Sequence, residues 1–216
     1  MSTNNGLSAV GDLMEYEFKG NEIIFPHKEL TLLDKLVIDF ISRINLKYVI
    51  VSGYVAILFG RSRNTEDVDI FIEIVDYKRF EGFFENVVKS GKYYCINADN
   101  PKDAYEILSE KSSIRFAEKG TFDPNFEIKF PEHELHNYSL DKAIIVKLGD
   151  KHQLMIGPIE LQLAYKLKLG SEKDYEDAAH LYIVFKKHLN REHLKYFISK
   201  LGVKESVVKK IFGEDI

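Results

Sequence analysis

The sequence predicts an α+β fold, a mixed β-sheet flanked by helices and followed by a region made of helices alone. Three observations carry that expectation. Through residue 157, apolar runs of strand length alternate with segments whose apolar residues recur every three or four positions. From residue 158 onward only the helical period persists. Composition supplies the third: 216 residues at 45% hydrophobic and 12% aromatic content suffice for a full core, and five prolines, thirteen glycines and no low-complexity tract leave little room for a linker. The expected division is an α/β core with a polar N-terminal leader over residues 1–157, and a C-terminal helical region over residues 158–216 packed on it.

In chain order, Met14-Glu-Tyr-Glu-Phe18 and Glu22-Ile-Ile-Phe25 flank Gly20-Asn21 as a short hairpin. Residues 31–44 form a helix, because Leu33, Leu36, Val37, Phe40, Ile41 and Ile44 keep its period and Thr31 with Asp34 makes a capping signature. Tyr48-Val-Ile-Val51 is the continuous apolar run required of a strand buried on both faces. It ends at Ser52-Gly53, and a short apolar helix over 54–59 stops at Gly60. The polar loop Arg61-Ser-Arg-Asn-Thr-Glu66 leads to a strand over 67–74 of clear parity, with Val68, Ile70, Ile72 and Ile74 on the core face and Asp67, Asp69, Phe71 and Glu73 on the other. Helices follow at 77–89 and 101–111, then strands at 114–117 and 125–130. In the last of these Phe126, Ile128 and Phe130 oppose Glu127 and Lys129. Residues 143–148 and 153–156 form a hairpin through Gly149-Asp150, and Pro158 opens helices at about 158–169, 174–188, 191–200 and 203–212.

Charge and cysteine content exclude several classes. A formal net charge of −4 argues against general adhesion to nucleic acid. Residues 139–216 carry 14 Lys and Arg against 11 Asp and Glu, so a polyanionic partner is permitted there, although solvated helix faces account for the same tilt. The leader has no basic stretch before an apolar one, and no segment approaches the ~18 apolar residues of a membrane span, so a cytoplasmic protein is expected. Cys95 alone forms neither an intramolecular disulfide nor a cysteine zinc site, and after Tyr93 and Tyr94 it reads as half-buried strand packing.

The chemistry concentrates between residues 49 and 73. A Ser52-Gly53 turn after a buried strand frees backbone N–H groups to approach an anionic phosphate with no Cβ in the way. Asp67 and Asp69, two apart on one strand, point to the same side with Cα atoms about 6–7 Å apart. Two carboxylates so placed repel each other unless a cation lies between them, and hard oxygen ligands suit Mg²⁺, which takes one or two protein carboxylates and completes its shell with triphosphate oxygens and water.

Val51-Ser52-Gly53, a spacer, then Asp67-Val68-Asp69-Ile70 resembles the signature of the DNA polymerase β-like nucleotidyltransferases, with Ser52 where the family has its first glycine. Arg63-x-Thr65-x-Asp67-x-Asp69 looks like the form found in the small prokaryotic members, the minimal nucleotidyltransferases and abortive-infection (AbiEii-type) toxins. Residues 159–178, with Lys166 and Lys173-Asp174-x-x-Asp177, are similar to a second segment of that subgroup. The resemblance covers about residues 45–185.

The resemblance implies a nucleotidyltransferase-type mixed sheet and metal-dependent transfer of NMP from an NTP such as ATP, with Mg²⁺ or Mn²⁺, to an RNA end such as tRNA, a protein hydroxyl or a small molecule. A toxin with an antitoxin partner fits the same subgroup. It makes Asp67 and Asp69 metal ligands and catalytic residues, and adds a third acid on a neighbouring strand. Glu127 is the candidate, with Glu118 and Asp123 as alternatives. Ser52, Gly53, Arg63, Thr65 and Lys166 are the nucleotide-binding candidates. Without a third acid at the metal, the chain reads instead as a non-catalytic module that keeps the fold and binds nucleotide or a partner.

Several of these residues also have structural readings. Lys166 reaches either phosphate or the carboxylates of Asp174 or Asp177, and Asp174 fits a cap with Ser171. Arg61 and Arg63 contact phosphates or offset nearby acids. His133-x-x-His136 lacks a third zinc ligand at a recognisable distance. His180, His188 and His193 are expected on exposed helix faces, and Tyr182 and Phe185 in a core stripe.

Overall fold

The computed structural model describes residues 15–214, so most of the expected leader, Met14 included, lies outside the described residues. Among those described, nine strands form one mixed sheet: β1 (Glu17–Lys19), β2 (Glu22–Phe25), β3 (Tyr48–Val51), β4 (Asp67–Ile72), β5 (Tyr93–Cys95), β6 (Ile114–Glu118), β7 (Asn125–Lys129), β8 (Ile144–Leu148) and β9 (His152–Ile156). Their spatial order is β1-β2-β8-β9-β3-β4-β7-β6-β5. The pairs β2/β8, β3/β9 and β4/β7 are parallel and the others antiparallel. Five helices are interspersed: α1 (Leu32–Ile41), α2 (Gly53–Leu58), α3 (Tyr77–Val88), α4 (Pro101–Ser109) and α5 (Glu134–Asp141). Four close the chain: α6 (Ile159–Leu169), α7 (Glu172–Phe185), α8 (Arg191–Lys200) and α9 (Glu205–Phe212).

Local chemistry sets the helix starts. Thr31 and Asp34 exchange both bonds of a capping box at α1. Asp76, Asn100, Ser171 and Asn190 each accept a backbone N–H at the start of α3, α4, α7 and α8. At the far end of α6, Gly170 takes φ +77°, the left-handed conformation that suits glycine at a helix stop.

The sheet packs on both faces. Val68, Ile70 and Ile72 of β4 join Ile50, Phe126 and Ile128 in the main core, where the Phe40 ring of α1 stacks on Phe126 at 3.8 Å. On the other face Val49 and Phe71 pack with Leu140 and Ala143 in a smaller cluster under α5. The central strand β3 is therefore buried on both sides, as its unbroken apolar run requires. The C-terminal helices share the main core: Leu163, Leu167, Ala178, Leu181 and Phe185 pack into it, and the Phe185 ring lies 4.7 Å from Phe59 at the end of α2.

Two sequence expectations are corrected, and one helix was not anticipated. Ile74 is no core residue, because β4 ends at Ile72 and leaves it 63% exposed. The helix α5 lies between the strand expected over 125–130 and the hairpin expected from 143, where the sequence pattern marks no element. His180 is not on an exposed face: its Nε2 lies 2.8 Å from the Phe59 carbonyl oxygen in a partly buried position. His188 is exposed, with its ring stacked 4.2 Å from Phe18.

Candidate functional site

The parallel pairing of β4 with β7 builds the site. Its register sets Asp67 beside Asn125, Asp69 beside Glu127 and Phe71 beside Lys129, and the antiparallel β6 sets Arg115 beside Glu127. Side chains level with one another across strands share a face, so Asp67, Asp69, Glu127, Lys129 and Arg115 stand together. At the Phe71 end that face is covered by α5, where His136 stacks on Phe71 at 4.2 Å. Between Asp69, α5 and α6 lies a cavity of ≈ 250 Å³, lined among others by Ser52, Lys129, His136, Gln162, Tyr165 and Leu169.

Charge is unevenly compensated across this face. Burial raises the Asp69 carboxyl above the ordinary carboxylate value, and the negative charges of Asp67 and Glu127 add to it, against the opposing pull of Lys129 and a hydrogen bond from Ser52. Burial also works to raise Glu127, but Lys129 and Arg115 outweigh it and hold that carboxyl below its ordinary value. Arg115 Nε donates to Glu127 Oε2 at 3.1 Å, while the Lys129 ammonium donates to Glu127 Oε1 and lies 3.5 Å from Asp69 Oδ1. On the cavity wall, burial, His133 and Lys129 together lower His136 to about 4, which keeps its imidazole neutral near pH 7.

The turn after β3 has a specific conformation. Ser52 takes φ +64° and ψ −132°, a region that favours glycine, so the serine itself makes the sharp bend. Its N–H donates to Gln162 Oε1 at 3.0 Å, tying the turn to α6. A Cβ on Gly53 would lie 2.2 Å from Arg63 Nη2, so the space opened by that glycine is filled by a guanidinium. Arg63 in turn donates two parallel bonds of 3.0 Å to Asp177, and the Lys166 ammonium contacts Asp174 at 2.8 Å and Asp177 at 3.0 Å. Arg61 bonds Glu176, and the Thr65 hydroxyl donates to the Asp67 carbonyl at 2.8 Å. Of the nucleotide-binding candidates, Ser52 and Lys166 line the cavity, while the guanidinium of Arg63 and the ammonium of Lys166 are directed into the buried Asp177 cluster. Asp174 is bonded to Ser171 through both its backbone N–H and its carboxylate, as a cap requires.

The donor set fits a hard divalent cation in part. Asp67 and Asp69 supply the one or two carboxylates that magnesium takes from a protein when substrate phosphates complete its shell. Among the described residues, no group of three His, Cys, Asp or Glu side chains is disposed to hold a metal ion, and both Glu127 oxygens are engaged by basic side chains. The rings of His133 and His136 lie 3.6 Å apart and tilted, and no third ligand joins them among the described residues. Glu118 belongs to β6, where it lies 3.6 Å from Lys92.

Sequence reasoning did not single out Gln162 or Tyr165. Gln162 is 5% exposed and its Nε2 is buried without a hydrogen-bond partner, as is the Tyr165 hydroxyl on the same cavity. Unsatisfied buried donors are rare and mark places where a ligand or water completes the pairing. Nothing in the local sequence pattern distinguishes either residue from core-facing positions of α6. Lys129 was visible on the Glu127 face from parity, but its reach to Asp69 depends on the β4/β7 register.

No protein-family model matches the chain, and no curated protein is significantly similar to it. Among solved structures the chain is similar to an antigenic nucleotidyltransferase-like protein from Paracoccidioides brasiliensis, with 15% identity over 84% of this chain and 90% of that chain, and a TM-score of 0.48.

Proposed function

We propose that the chain is a metal-dependent nucleotidyltransferase that moves a nucleoside monophosphate from an NTP to an acceptor hydroxyl. The observation that carries this reading is Asp67 and Asp69 on one sheet face, with Asp69 lining a cavity that also holds the unpartnered Gln162 Nε2. A magnesium or manganese ion held by the two aspartates would neutralise the triphosphate and stabilise the departing pyrophosphate. The chain's own residues then have distinct tasks. Asp69 holds charge on the cavity lining and Asp67 beside it on the same strand face, and Ser52, in hydrogen-bond contact with Asp69, orients that carboxylate. Glu127 is the candidate acceptor of the proton from the attacking hydroxyl, a task for which one of its oxygens must be released by Arg115 or Lys129. The acceptor class and a toxin role rest on the sequence resemblance alone.

Incubation with each of four α-labelled NTPs, Mg²⁺ and RNA and protein from a cell extract tests this reading. Transfer of label is expected, with Asp67→Ala and Asp69→Ala each reducing it roughly a hundredfold or more, since several kcal/mol of charge stabilisation is removed. Undiminished transfer in either variant removes that residue from the mechanism.

One arrangement favours a second reading, a non-catalytic module that binds nucleotide. Glu127 is bonded to two basic side chains rather than turned toward Asp67. An NTP-dependent thermal shift with no label transfer from any of the four nucleotides would select it.

A further inference from the structure

Two carboxylates on the acidic face are already bridged by a cation belonging to the chain. Lys129 stands two residues beyond Glu127 on β7 and on the same face, and its side chain reaches back so that the ammonium bonds Glu127 Oε1 and lies 3.5 Å from Asp69 Oδ1. Arg115 takes the other Glu127 oxygen at 3.1 Å. The Glu127 side chain is only 10% exposed, so these partners replace water that would otherwise solvate it. Asp67, by contrast, has no ion-pair partner among the described residues. The acidic face is thus divided: the Asp69–Glu127 half carries a built-in positive charge, and the Asp67–Asp69 half does not.

We propose that Lys129 is a tethered cation occupying the position between Asp69 and Glu127 where a second divalent ion would bind, so that the site takes a single divalent cation, on Asp67 and Asp69. The inference rests on the metal-dependent reading above. A divalent ion bridging Asp69 and Glu127 would lie within a few ångströms of a fixed ammonium and would have to draw on carboxylate oxygens already committed to Lys129 and Arg115. Like-charge repulsion at that separation, in a partly water-excluded site, opposes it strongly. An ammonium also supplies what a second ion supplies to a transferring phosphoryl group, a fixed positive charge beside the developing negative one.

The test is native mass spectrometry of the full chain with Mn²⁺ and a non-hydrolysable α,β-methylene nucleoside triphosphate, which counts ions in the ternary complex without turnover. One Mn²⁺ per chain is expected for the unaltered protein and for Lys129→Arg, and two for Lys129→Met. Lys129→Gln, which keeps a polar end on a shorter stem, serves if the methionine variant fails to fold, and the same count of two is expected. Two ions in the unaltered protein, or one in both folded neutral variants, would overturn the proposal while leaving the metal-dependent reading intact. No Mn²⁺ beyond that retained by Asp67→Ala and Asp69→Ala would overturn both.

Discussion

Asp69 is the carboxylate on which the site converges: Ser52 and Lys129 approach it, Asp67 and Glu127 repel it, and the cavity opens beside it. Its position was legible because strand parity alone puts Asp67 and Asp69 on one face. The partners were less so, since Lys129 touches Asp69 through a pairing between segments some sixty residues apart, which no local pattern encodes. Two residue-level expectations follow from conformation and charge. Ser52→Gly should relieve a positive-φ serine and stabilise the protein by about 1 kcal/mol, read as a raised denaturation midpoint, whereas a loss would mean that the hydroxyl bond to Asp69 outweighs the strain. His136, lowered to about 4 from 6.5, binds a proton in the unfolded chain that the folded chain refuses between those values. Its contribution to stability is therefore complete above about 6.5 and lost as pH falls toward 4. Titration of the ring by NMR should show the low value, and His136→Phe, which keeps a ring on Phe71, should flatten that part of the stability profile.

At the scale of elements, the loop before β4 and the helix α7 are joined by a buried ionic cluster. Asp177 has a fully buried side chain and pairs with both Arg63 and Lys166. The Lys166 and Asp177 positions of the second sequence motif therefore fasten α6 and α7 to the loop that presents the aspartate pair. Asp177→Ala strands the buried Arg63 guanidinium and leaves Lys166 with Asp174 alone, and is expected to cost about 3–5 kcal/mol, measured by chemical denaturation. A cost below about 1 kcal/mol would show the cluster to be solvated. The helix α5 escaped sequence reading for a physical reason: Pro131 marks a break before it, and Glu134, His136 and Asn137 interrupt the apolar stripe, so that Leu135 and Leu140 are its only buried apolar residues, with Tyr138 half-buried beside Phe197. Those two residues face different clusters, Leu135 toward α6 and α8 and Leu140 toward the sheet, which is why no single apolar period marks the helix.

Across the whole molecule, the mixture of strands and helices was legible because the elements other than α5 satisfy their own periods, while the sheet order was not. The order places β8 between β2 and β9, and β7 between β4 and β6, and these depend on tertiary pairing rather than on propensity. The shared core has an energetic consequence. Phe59, Phe185, Leu163 and Leu181 bind the C-terminal helices to the sheet in one buried cluster, so heat or denaturant should unfold both in a single transition, coincident by near- and far-UV circular dichroism. Two separated transitions would show the helices to be an independent unit. The central claim is that the aspartate pair holds the cation that carries a nucleoside triphosphate. Diffraction from crystals grown with Mn²⁺ and a non-hydrolysable NTP analogue, recorded at the manganese edge, tests it most directly. The account requires an anomalous peak bridging Asp67 and Asp69 with the triphosphate against it, and manganese or nucleotide bound only elsewhere on the protein would contradict it.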